Sequence, residues 1–203
     1  RRASRSAAGT ERGKTMKKIY IVTTFTGTLL SCLIRNISKT PYAHVSIALN
    51  EYLRPMYSFG RLNPKTPIFA GFVEENINEG LYAIRTNTMC RVYSLMVTER
   101  QYEKLKENID NVSINRKQYV YDVKALVYLS VNKPRKKDYK YVCSHFVADM
   151  LKRSEINILD KEPHQVRPND FYDLCDLELE YEGLLSNYYE KDKVHNIGDV
   201  VKI

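Results

Sequence analysis

The segment that most constrains this chain is Tyr141-Val142-Cys143-Ser144-His145-Phe146-Val147-Ala148-Asp149-Met150-Leu151. A short apolar run reaches Cys143, and a helical pattern begins at once. Phe146, Val147, Met150 and Leu151 recur at the spacing of one buried helical face. Cys143 therefore sits at or beside a helix N-terminus, where unpaired backbone N–H groups and the macrodipole favour an anion. That favours the thiolate over the thiol by about 0.3–1 kcal/mol. A small apolar residue filling a strand-to-helix junction satisfies the same pattern, since free cysteines are often simply buried. The choice between the two turns on what else the chain supplies.

At 203 residues, 43% hydrophobic and 28% charged, the sequence suits one soluble globular domain with a sizeable core. Half of the net charge of +8 belongs to residues 1–15, where Arg1, Arg2, Arg5, Arg12 and Lys14 face only Glu11. That stretch has no periodicity and precedes Met16-Lys17-Lys18. It reads as a disordered extension, leaving one domain over 16–203. The remaining basic excess is mild, so nucleic-acid binding loses its compositional support. Gly13-Lys14-Thr15 imitates the end of a phosphate-binding loop, but Ala8 stands where the motif requires glycine and no strand precedes it. Cys32, Cys90, Cys143 and Cys175 are widely spaced with no C-x-x-C, which argues against a zinc site or a disulfide framework. No cofactor or metal is expected.

Two lysines, an apolar run and Leu29-Leu30-Ser31-Cys32 resemble a lipoprotein signal, with Cys32 as the anchored residue. A strand at 18–25, a break at Gly27 and a helix at 28–37 account for the same residues. Leu29, Leu30, Leu33, Ile34 and Ile37 then form one stripe. The second reading makes the protein cytoplasmic; the first makes it membrane-anchored. No segment has the ~20 clean apolar residues of a membrane-spanning helix.

Alternation in 42–49 places Val45, Ile47 and Leu49 on one strand face, and His44, Ser46 and Ala48 on the other. A hairpin partner is expected at Met56–Phe59, followed by a loop from Gly60 to Gly71. Residues 81–85 and 89–97 read as strands. Thr98-x-x-Gln101 is a capping box opening a helix with Tyr102, Leu105 and Ile109 inward. A helix at 122–131, a basic loop at 133–140, a short helix at 169–175 and a strand at 177–185 complete the pattern.

A cysteine nucleophile needs a base on rigid structure. His145 lies two residues from Cys143 on the same helix, about 200° away around its axis. His164 is in a loop and His195 in the weakly patterned tail. His44 opens a strand whose own face is otherwise small, with only Ser46 and Ala48.

This order, His44 at a strand start, a hairpin, then Cys143-Ser144-x-Phe146-Val147 opening a helix, resembles the circularly permuted papain-like fold of the NlpC superfamily. Its YiiX-like and lecithin retinol acyltransferase-like branches are included. The resemblance spans roughly residues 17–175. It implies an α+β fold, with an antiparallel sheet carrying His44 packed against the helix carrying Cys143. The family usually has a third polar residue on the strand after the histidine. Ser58 is the nearest positional match here, with Tyr57 beside it, while Glu74 and Glu75 are carboxylates that a longer loop could bring in.

The resemblance implies a cysteine hydrolase of amides or peptides, with Cys143 as nucleophile and His44 as base. The Cys143 backbone N–H, with a tyrosine such as Tyr57, would receive the oxyanion. The same pair could instead move an acyl chain between lipids, with 133–140 meeting anionic headgroups at a membrane surface. A binding module that keeps the fold without the chemistry is the third expectation. The substrate is accordingly a peptide, an amide or an acyl lipid.

Overall fold

The computed structural model describes residues 15–28, 31, 32, 35, 41–63, 70–122, 124, 137–172 and 174–190. Its centre is β1 (Met16–Phe25), which pairs antiparallel with β2 (His44–Ala48) on one side and β5 (Met89–Thr98) on the other. β3 (Met56–Arg61) and β4 (Ala70–Glu75) extend the sheet beyond β2, and β8 (Glu178–Leu184) lies outside β5. The six strands run in the order β4-β3-β2-β1-β5-β8, and every pairing among them is antiparallel.

The central strand reads Ile19-Tyr20-Ile21-Val22 without polar alternation because both of its faces are covered. Ile19 and Ile21 join Val45, Ile47 and Phe59 in a first core, which α3 (Cys143–Arg153) closes with Phe146, Val147 and Met150. Tyr20 and Val22 join Ala48, Met56 and Val92 in a second core on the opposite face, with Tyr82 and Tyr188. The α+β class and the antiparallel sheet packed against helices are as the sequence implies.

Thr98 and Gln101 cap α2 (Glu99–Ile114) reciprocally. The Gln101 N–H donates to Thr98 Oγ1 at 3.3 Å, and the Thr98 N–H to Gln101 Oε1 at 3.0 Å. Leu105, Ile109 and Val112 face the first core.

Three expectations need correction. The loop expected from Gly60 to Gly71 is in part sheet: β3 runs on to Arg61 and β4 begins at Ala70. Residues 81–85, expected as a strand, are helical in α1 (Gly80–Ile84). Gly80 turns the chain at φ +55°, and Tyr82 alone of the helix is buried. The helix expected at 169–175 is only a 3-10 turn, Pro168–Phe171. Val120–Tyr121 (β6) and Lys140–Tyr141 (β7) form a two-residue parallel ribbon that no periodicity announced.

Ser31, Cys32, Arg35 and Lys124 are helical, whereas most of the expected helices at 28–37 and 122–131 lie outside the described residues. So do residues 1–14, the 133–136 part of the basic loop and the tail from 191. No helix among the described residues is long and apolar enough to cross a membrane.

Candidate active site

His44 is the first residue of β2 and Glu75 the last of β4, with β3 between them. Their side chains nevertheless meet: His44 Nε2 lies 3.0 Å from Glu75 Oε1 and 3.2 Å from Oε2. The crossing is open because β3 presents Ser58 and Gly60 on that face. A methyl group at Gly60 would stand 3.5 Å from both Glu75 Oε1 and His44 Cε1.

Two further side chains hold the carboxylate. Ser46 Oγ donates to Glu75 Oε2 at 2.6 Å, and the Tyr82 hydroxyl donates to the same oxygen at 3.3 Å. Thr24 Oγ1 lies 3.3 Å from that hydroxyl in turn. The His44 and Glu75 side chains are only 20% and 17% exposed.

Burial by itself would drive the His44 pKa down and the Glu75 pKa up. Here burial is outweighed. For His44, the Glu75 charge and hydrogen bonds to Cys143 and Glu75 raise the pKa well above its usual 6.5. For Glu75, the His44 charge and hydrogen bonds from His44, Ser46 and Tyr82 lower it below its usual 4.5. Both directions favour an imidazolium beside a carboxylate.

Cys143 opens α3 at 5% exposure, and no side chain caps that helix. Its side chain acts on the His44 ring through hydrogen bonding and charge, both of which raise the imidazole pKa. His44 thus couples a carboxylate on the second-core face with the thiol of a helix that packs on the first. Next to Cys143, Ser144 Oγ donates to the Val166 carbonyl at 2.6 Å, tying the head of α3 to the segment after it.

The structure brings together Cys143, His44 and Glu75, and sets Ser58 and Tyr57 apart from them. Ser58 is fully buried and gives its proton to the Val45 carbonyl at 2.7 Å, so its hydroxyl serves the sheet rather than the imidazole. Tyr57 lies on the other face of β3, stacked on Phe72 with centroids 6.2 Å apart, and its charged neighbours are Glu74 and Asp110. Glu74 alternates away from Glu75 and accepts from Ser113 at 3.1 Å.

The sequence reading missed Tyr82 and Tyr121. Tyr121 is a phenol within the field of the thiol: burial first, then the charge of Cys143, raise its pKa far above the usual 10, so it stays a hydroxyl donor. Neither tyrosine carries a local signal among the 16 in the chain. His145 rests against Tyr141, with centroids 4.6 Å apart, and His164 lies 6.4 Å beyond it; His195 is outside the described residues.

Among the described residues, no group of three or more His, Cys, Asp or Glu side chains is arranged to hold a metal ion. No protein-family model and no curated protein matches the chain.

Proposed function

We propose that this protein is a cysteine-dependent hydrolase of amide or peptide bonds, built on a circularly permuted papain-like fold of the NlpC type. One observation carries the reading: His44, held 3.0 Å from the Glu75 carboxylate, has its pKa raised by that carboxylate and by the Cys143 side chain at the head of α3. Thiol, base and orienting carboxylate are the parts that nucleophilic acyl transfer requires. On β3 the sequence offers only Ser58 and Tyr57 as orienting groups, the feature that supports a binding module. Glu75 answers that objection from β4.

In this mechanism Cys143 Sγ attacks the substrate carbonyl carbon, the thiol proton having passed to His44. The oxyanion is received by the Cys143 backbone N–H and the Tyr121 hydroxyl. His44 then gives its proton to the leaving nitrogen as the C–N bond breaks, leaving a thioester on Cys143. Water attacks that thioester, His44 takes the water proton, and the free acid and thiol are regenerated. Glu75 keeps its charge throughout and fixes the ring. A positioned base of this kind contributes roughly 10²–10⁴-fold in rate.

The test is the pH dependence of Cys143 alkylation by iodoacetamide, with Cys32 and Cys175 replaced by serine so that one accessible thiol is read. Wild type should react well below the ordinary thiol pKa of about 8.5, and His44→Ala should return the profile to that value. An ordinary thiol profile in both proteins would overturn the reading.

A further inference from the structure

Arg61 ends β3 immediately after Gly60, the residue against which His44 and Glu75 meet. Its Nη2 donates to Thr28 Oγ1 at 2.8 Å, and it makes no ion pair with a carboxylate among the described residues. It lines a cavity of about 310 Å³ whose wall also contains Glu75 and Tyr82. Glu74 and Glu79 lie on the same cavity but are engaged elsewhere. Glu74 accepts from Ser113 at 3.1 Å, and Glu79 from Asn76 at 3.0 Å.

The groups that act on the Arg61 charge are Arg85, a second cation, and Tyr121, on which the Cys143 charge also acts. Burial, and after it Arg85, both disfavour the charged guanidinium. A half-buried arginine that donates to a hydroxyl, its charge opposed by a second arginine, is stabilised when an anion arrives from outside. The guanidinium fork matches the two oxygens of a carboxylate or a phosphate. Leu62, Phe72 and Leu81 give the same cavity an apolar wall.

We propose that Arg61, backed by Arg85, binds a negatively charged group of the substrate next to the carbonyl that Cys143 attacks. The substrate is then an amide with an apolar body and a carboxylate or phosphate close to the scissile bond. This rests on the catalytic reading above, and the two can fail separately.

Iodoacetate and iodoacetamide carry the same reacting carbon and differ by one charge, so the ratio of their rates at Cys143 reads the local field. His44 favours the anionic reagent as well, and comparing wild type with Arg61→Gln at fixed ionic strength isolates Arg61. The iodoacetate rate should fall about tenfold in Arg61→Gln, with the iodoacetamide rate unchanged and Arg61→Lys intermediate. In wild type, N-acetylglycine or inorganic phosphate should protect Cys143 where N-acetylglycinamide does not, and the stronger protector identifies the anion.

An unchanged ratio in Arg61→Gln overturns the proposal, as does equal protection by the amide. If circular dichroism shows Arg61→Gln unfolded, Arg85→Gln and the protection assay on wild type decide in its place. An unchanged ratio with no protection by either anion then overturns it. An ordinary thiol pH profile with iodoacetamide would sink the catalytic reading and leave the reagent ratio legible.

Discussion

Glu75 and His44 belong to strands separated by a third, yet their side chains meet at 3.0 Å across Gly60. The contact depends on what β3 does not carry, and a single methyl group tests it. In Gly60→Ala the new carbon would lie 3.3 Å from Val73 Cγ2 and in contact with both partners. The fold should persist at a cost of about 1–3 kcal/mol in urea denaturation. Cys143 alkylation at pH 6 should slow as Glu75 is pushed off the ring. A variant with wild-type stability and rate would show that the crossing is not tight.

Glu75→Gln keeps the shape and removes the charge. Burial of the imidazole is then no longer outweighed, and the His44 pKa should fall, as read from its Cε1 proton resonance. The low-pH reactivity of Cys143 should drop on the order of 10²-fold, the lower end of what a positioned base contributes. A His44 titration unmoved by the substitution would remove Glu75 from the site.

The same pair sets a pH window for stability. Glu75 has a folded pKa below its ordinary 4.5, so its contribution is complete above that value and is lost as pH falls through the folded pKa. His44 has a folded pKa above 6.5, so its contribution is complete below 6.5 and is lost as pH rises through the folded pKa. The joint contribution is therefore greatest between about pH 4.5 and 6.5. Urea midpoints measured across pH 4–9 should show wild type losing its advantage over His44→Ala on the alkaline side. Parallel curves for the two proteins would contradict this.

Phe59 links the sheet to the helix that carries the nucleophile. Its ring lies 5.1 Å from that of Tyr141 and 5.3 Å from that of Phe146, and it is fully buried. Phe59→Ala should cost about 3–5 kcal/mol through lost burial and the cavity left behind. The urea midpoint should fall far more than in Phe59→Leu. A loss under 1 kcal/mol would mean that the neighbours collapse into the space.

The sequence made legible those parts of the site whose signal is periodic. Cys143 stands where one period ends and another begins, and His44 stands in an alternating run; the structure has them at the head of a helix and of a strand. Glu75 was visible only as a carboxylate near a loop. Its strand follows a stretch of Pro and Gly, and its reach past Ser58 is a tertiary fact. Ser58 was placed by position along β3, but position cannot say that the Val45 carbonyl claims its proton. Tyr82 hid in Gly80–Ile84, five residues too short to distinguish helix from strand by period. Tyr121 sits in a ribbon of two residue pairs, below the length at which any pattern forms.

β4 is the outermost strand on its side of the sheet, with β3 as its one ladder partner among the described residues. His44 and Cys143 sit on elements packed deeper in the molecule. Detachment of that margin would withdraw the carboxylate and leave base and thiol in place. Such partial openings need less free energy than global unfolding. Reactivity and whole-molecule stability are therefore separable quantities here, and amide exchange along 70–75 would report the first while calorimetry reports the second.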